Sequence, residues 1–135
     1  LRPGALEGRT LKDALEKMIR EYQTLSNLQV DLHYEWVDVD MDVMIEDTIF
    51  RVIQESMTNA VRHGHASRMI LHFFEDEEDY LIELQDNGVG FETLTYGYGL
   101  KQMMERISIL GGQLQFESRD GFFTRVSLPK YKEGR

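Results

Sequence analysis

The chain has 135 residues, 41% of them hydrophobic, no cysteine and a formal net charge of −9. That length suits one domain with a real core, and the composition suits a globular chain rather than a disordered one. The missing cysteines exclude a disulfide framework and a thiolate zinc site. An acidic chain without a basic stripe is a poor nonspecific nucleic-acid binder, although a nucleotide held by backbone amides and a metal ion stays open.

In chain order, Thr10 is placed to cap a helix reaching about Leu25, with Leu11, Ala14, Leu15, Met18, Ile19, Tyr22 and Leu25 at helical spacing. Residues 28–36 alternate apolar and polar as a strand does. After a connector, "VDVDMD", a long helix runs from about Met41 to His63 and ends before Gly64. Residues 67–75 and 80–86 read as two strands joined by a solvated acidic turn. A glycine-rich stretch follows, then a helix over roughly Leu100–Leu110 stopped by Gly111 and Gly112. Residues 113–118 and 123–129 close as a hairpin around Asp120 and Gly121. This order predicts a two-layer α/β sandwich, with a mixed, mostly antiparallel sheet covered on one face by about three helices. No apolar run approaches the roughly 18 residues of a membrane span, and no signal peptide is visible. The start at Leu1 rather than a methionine makes a piece of a longer chain the expectation, and a reducing, cytosolic setting fits.

On the long middle helix, Ile45, Ile49, Val52, Ile53, Ser56 and Ala60 fall in a stripe about 100° wide, the core face. Glu55, Asn59 and Arg62 lie beside it, with His63 at its edge. Glu55 and Asn59 are four apart, so they project together. An acid and an amide at the border of a core can line a cleft. Asn59 offers a carbonyl oxygen, a neutral hard ligand suited to Mg²⁺, and Glu55 a carboxylate able to take a proton or orient a water. The plain alternative is a solvated polar pair. "HGH" at 63–65, with His33 and His72, invites a zinc reading, but no Cys/His pattern accompanies it. His63 is better placed as a helix-end residue near a carbonyl or phosphate. "VDVDMD" mimics the start of a calcium loop, yet Val43 and Ile49 stand where the glycine and glutamate are needed. Met103 and Met104 read as core rather than as a cofactor contact, and so does Trp36, with a domain contact the other option for Trp36.

"DNGVGF", residues 86–91, follows a strand, and "GYG", 97–99, precedes a helix. A carboxylate only accepts hydrogen bonds, so Asp86 can read an amine such as that of adenine. Gly88 and Gly90 let a flat ring or a phosphate come near the main chain. Gly97 and Gly99 leave free N–H groups at a helix start, a natural phosphate site. Each cluster alone reads as a turn or loop. The order strand, D-x-G-x-G, short loop, G-x-G, helix does not. It lacks the G-K-[ST] of a Walker loop and the G-x-G-x-x-G of a dinucleotide fold.

At these residues the sequence resembles the GHKL superfamily of gyrase, heat-shock chaperone, histidine kinase and MutL ATPases. "ESMTNAVRHG", 55–64, is similar to its N box, and "DNGVGF" and "GYGL" to its two glycine boxes. "GYGLKQMMERISILGGQL" and "ESRDGFFTRVSLP" resemble the sensor histidine kinases of the short-lid class that pair with NarL-type response regulators. The opening "LRPGALEGRTLKDAL" resembles the join to that class's dimerisation domain, so residues 1–9 would be the remnant of the join and 1–135 one catalytic domain.

The resemblance implies a Bergerat-type sandwich that binds ATP and Mg²⁺ and transfers the γ-phosphoryl to a histidine. Asn59 would hold the metal, and Glu55 would prepare or polarise the acceptor histidine. Arg62 and His63 would lie near the phosphates. Asp86 would bind the adenine amine over Gly88 and Gly90. Gly97, Gly99 and Leu100 would belong to the lid, and Thr124 would sit near the adenine. The family commonly has G-x-G-T where this chain has Gly121-Phe122-Phe123-Thr124, and Tyr98 stands where His is frequent. The implied partners are the chain's own dimerisation and phosphoacceptor domain and a NarL-type response regulator, without nucleic acid. The implied setting is the cytoplasmic part of a membrane-anchored sensor, homodimeric as a whole and monomeric as this piece. No histidine here stands in the family's H-[DE] acceptor pattern, so the chain is expected to bind nucleotide without phosphorylating itself. An anti-sigma-factor-type serine kinase and a non-catalytic nucleotide-binding module are the alternatives.

Overall fold

The computed structural model describes residues 6–37, 39–94 and 97–130. Residues 1–5 of the expected join, residues 95 and 96 of the expected lid and the Tyr98 side chain lie outside the described residues.

The first helix, α1, spans Leu11–Leu25. Thr10 caps it, accepting the Asp13 N–H on Oγ1 at 3.1 Å. Leu11, Ala14, Leu15, Met18 and Ile19 are buried. Tyr22 is half-buried and hydrogen-bonds Thr58 at 2.6 Å. Leu25, expected on the same stripe, is 86% exposed. The helix ends there, with Ser26 turning both its N–H and its hydroxyl onto the Tyr22 carbonyl.

Strand β1 is Gln29–Tyr34 and helix α2 Val43–Arg62. The acidic run before α2 supplies its cap, because Asp42 Oδ1 accepts the Met44 N–H at 2.8 Å. Strands β2, Arg68–Glu75, and β3, Asp79–Asp86, form a hairpin. In its turn, Asp76 Oδ1 accepts the N–H groups of Glu78 and Asp79. Helix α3 is Tyr98–Ile109, and β4, Gln113–Ser118, with β5, Phe122–Pro129, closes the chain. The sheet runs β1-β2-β3-β5-β4, with β1 and β2 parallel and the other pairs antiparallel. The sandwich is therefore the mixed, mostly antiparallel one expected.

Alternation along the strands sends Met69, Leu71, Phe73, Ile82, Leu84, Val126 and Leu128 inward, where they join the buried residues of all three helices in one core. The α2 stripe is wider than its period suggested. Phe50 and Met57 are buried as well, since α2 packs against α1 on one side and α3 on the other. Leu6, inside the segment expected to be a remnant of the join, is fully buried in the same core. Trp36 and Met103 are core too, and the Trp36 indole N–H reaches the Phe74 carbonyl at 2.6 Å. Met104, expected in the core beside Met103, is instead 37% exposed, because the next position on α3 turns away from the sheet. His33 and His72 occupy the outer sheet face as a register pair, where His72 meets Glu35 at 2.7 Å.

Candidate functional site

Between the helices and one end of the sheet lies a cleft of about 430 Å³. Glu55, Ser56, Asn59 and His63 reach it from α2, Asp86 from the end of β3, and Gly97, Gly99 and Leu100 from the start of α3. Thr124 and Phe122 of β5 close the far wall. Nine of the eleven candidate residues read from the sequence border this space or fall in its rim. Arg62 does not; it is exposed at the end of α2. Gly88 does not either; it faces the Gly64 main chain at the end of α2.

Asp86 is 5% exposed, and its geometry is fixed by main chain. Its Oδ1 accepts the Gly88 N–H at 2.8 Å and the Phe122 N–H at 2.9 Å. No described residue donates to Oδ2. A carboxylate fastened by one oxygen presents the other as a bare acceptor in the cleft wall, suited to an amine.

The loop after Asp86 is pinned by its neighbours. Asn87 Oδ1 accepts from the main-chain nitrogens of Ser67 and Arg68, both at 2.9 Å, and its amide donates to Ser67 Oγ. The Val89 N–H reaches the Gly64 carbonyl at 3.0 Å. A Cβ on Gly88 would stand 2.5 Å from that same carbonyl. Gly88 is thus required by the close approach of the α2 end rather than by an opening toward a ligand. Gly121 has φ +131, and a Cβ there would collide with the Asp86 carbonyl. These contacts lock the end of β3, the end of α2 and the β4–β5 turn together around Asp86.

Thr124 is 3% exposed and faces the cleft, while Phe123 points to the opposite sheet face under the Arg119 guanidinium, 3.7 Å from its carbon. The phenylalanine that replaces a family glycine therefore leaves the cleft wall untouched. The Phe122 ring lies 5.1 Å from that of Phe91, tilted by 58°, and 5.5 Å from that of Phe116, edge to face, giving the cleft an aromatic border.

At the other end, the α3 N-cap Gly97 supplies no side-chain hydrogen bond, so no cap among the described residues takes up the first-turn N–H groups. Glu55 points its carboxylate at Gly99, where a Cβ would collide with it. It makes no hydrogen bond or ion pair with a described residue. Asn59 lines the same wall one turn further along α2.

Sequence reasoning assigned Ser56 to the core, and it is buried; its hydroxyl, however, has no hydrogen-bond partner and the residue borders the cleft. A polar residue inside an apolar stripe was the available signal. Phe122 and Met69 carried none, since only the strand register brings them to the wall.

A purine nucleotide fits this set of features: a bare acceptor in an apolar slot, an orphaned hydroxyl, and unfilled helix N–H groups at the opposite end.

Comparison with known proteins agrees. The family model of histidine kinase-, DNA gyrase B- and HSP90-like ATPases matches residues 44–132. The chain is 34% identical to the signal transduction histidine-protein kinase/phosphatase UhpB of Salmonella typhimurium, over 96% of this chain and 27% of that protein. It is 30% identical to the sensor histidine kinase LiaS of Bacillus subtilis, over 95% of this chain and 36% of that protein. The chain thus spans roughly a third or less of these relatives. Among solved structures, the ATP-binding domain of PrrB from Mycobacterium tuberculosis superposes with a TM-score of 0.72 at 20% identity, covering 89% of this chain and 93% of that one. The histidine kinase AdeS of Acinetobacter baumannii gives 0.78 at 20% identity, over 90% of this chain and 65% of that one. The chain belongs to the histidine kinase-, DNA gyrase B- and HSP90-like ATPase family, as a homologue of the ATP-binding domains of sensor histidine kinases.

Proposed function

We propose that the chain is the ATP-binding catalytic domain of a two-component sensor histidine kinase, acting on a histidine supplied by a dimerisation domain upstream in the same protein. The observation that carries this is Asp86, fastened at Oδ1 by two main-chain N–H groups and, among the described residues, bare at Oδ2, in a cleft that ends at the start of α3, where Gly97 offers no side-chain cap.

Asp86 would accept a hydrogen bond from the 6-amino group of adenine, with Thr124 beside it and Phe122 and Phe91 as an apolar border. The N–H groups from Gly97 to Leu100 would take phosphate oxygens. Asn59 would offer its carbonyl oxygen to Mg²⁺, and His63 would face the phosphates. When bound, ATP would supply the transferable phosphoryl group and Mg²⁺ would offset part of the phosphate charge. Glu55, without a hydrogen-bond or ion-pair partner among the described residues, would orient or deprotonate the acceptor histidine. Arg62, exposed at the rim of α2, would meet the phosphates or the incoming domain rather than the cleft floor.

The names of the relatives favour this reading over a serine kinase or a non-catalytic module of the same fold. It entails a response regulator of the NarL type as acceptor and a homodimeric whole protein. It also entails a cytoplasmic position beneath a membrane-anchored sensor; no helix among the described residues is long and apolar enough to cross a membrane.

The test uses a protein that includes the upstream helices. Asn59→Ala should abolish incorporation of labelled phosphate from ATP. Undiminished autophosphorylation would remove Asn59 from the metal site. The present chain alone should acquire no acid-labile phosphate.

A further inference from the structure

Gln85 adjoins Asp86 in sequence but lies on the opposite face of the sheet, because successive strand residues alternate. Its amide makes three contacts there. Nε2 donates to the Asp86 carbonyl at 2.7 Å and to the Arg119 carbonyl at 3.2 Å, and Oε1 accepts from Arg119 Nε at 3.2 Å. Together they define which end of the amide is which. Arg119 is itself held, with its guanidinium over the Phe123 ring and its N–H on the Gly121 carbonyl at 3.0 Å. One side chain thus ties the Asp86 peptide to the β4–β5 turn. The residue that follows this turn, Phe122, returns through the sheet to donate its N–H to Asp86 Oδ1. The circuit closes on the same residue from both faces.

We infer that Gln85 is a positioning residue for adenine recognition. It keeps the turn at 119–121 seated against Asp86, so that the Phe122 N–H holds the carboxylate with its second oxygen in the cleft. This rests on the reading of the cleft given above. Gln85 stands behind the sheet and touches no ligand itself. The contact it steers most directly is the one that aims Asp86, so its influence falls chiefly on the part of the ligand that Asp86 reads, the 6-amino group.

The test is calorimetric titration of this chain and two variants with ADP and with purine riboside 5′-diphosphate, which lacks that amine. Gln85→Ala should weaken ADP about threefold to tenfold, the worth of one hydrogen bond, and weaken the amine-free nucleotide distinctly less. Gln85→Glu separates positioning from plain surface packing. A glutamate keeps the size and strengthens the contact with Arg119, yet has no N–H to give the Asp86 carbonyl. It should therefore weaken ADP as alanine does. ADP binding by Gln85→Glu at the level of the unaltered chain would overturn the inference. So would an equal loss for both nucleotides in Gln85→Ala. Thermal unfolding is followed alongside, and should Gln85→Ala fail to fold, Gln85→Glu alone decides. If the unaltered chain bound neither nucleotide, the cleft's assignment would fall first and this inference with it.

Discussion

Phe122 gives its main-chain N–H to the Asp86 carboxylate at 2.9 Å, across 36 positions of sequence. The bond depends on Gly121, whose φ of +131 and missing Cβ let the turn pass over the Asp86 carbonyl. A carboxylate this buried needs hydrogen bonds to replace the water it has lost, and it draws them from main chain that no side-chain substitution removes directly. The result is an acceptor whose direction is set before any ligand arrives, the arrangement that limits the entropy lost on binding.

The two kinds of glycine in this region should respond differently to alanine. At Gly88 a Cβ would meet the Gly64 backbone at 2.5 Å, so main chain must move. Gly88→Ala is expected to cost about 1–3 kcal/mol of stability, the range of overpacking. At Gly97 nothing lies within 4 Å and φ is −76. Gly97→Ala should change stability by less than about 1 kcal/mol, as lost cap preference offsets reduced chain entropy. Urea unfolding of both variants checks this contrast.

Ser56→Ala should leave the nucleotide-free chain as stable or more stable, by up to about 1 kcal/mol. It deletes a buried hydroxyl without a partner and introduces a better helix former. A clear loss of stability in thermal unfolding would mean that the hydroxyl is satisfied in solution, by a water held in the cleft.

Tyr34 makes stability depend on alkaline pH. Burial, and secondarily the charge of Glu46, pushes its phenol up to about 12 from 10.0. Folding therefore favours the neutral form. The stability this carries is complete below the unfolded value and is lost as pH rises through the folded one. Urea midpoints of the chain should fall between about pH 10 and pH 12, more steeply than those of Tyr34→Phe, which has no phenol to ionise. Parallel curves would place Tyr34 in contact with water.

Much of this architecture was written locally. Thr10 caps α1, strand alternation marks the buried face of the sheet, and the glycine clusters bracket the cleft. The element ends moved by only a residue or two. What escaped was set by neighbours distant in sequence. Met57 and Phe50 are buried because α2 lies between two helices, which no single-helix stripe can reveal. Gly88 was read as making room for a ligand, whereas the Gly64 carbonyl takes that space. Phe123 stood out as a departure at the site, yet strand parity sends it to the outer face and leaves Thr124 in the wall. Asp86 itself was legible as an acid between a strand and a glycine turn. The two N–H groups that aim it were not, since one comes from the far hairpin.

The central claim is that the bare oxygen of Asp86 selects a purine by its amine. Asp86→Asn preserves the size of the side chain and can keep an oxygen on the Gly88 and Phe122 N–H groups. It then turns an NH₂ donor, in place of an acceptor, toward the adenine amine. Titration of this chain and the variant with Mg-ADP should show a loss of affinity of about a hundredfold or more, with both proteins folded. Equal affinity in the two proteins would contradict the account.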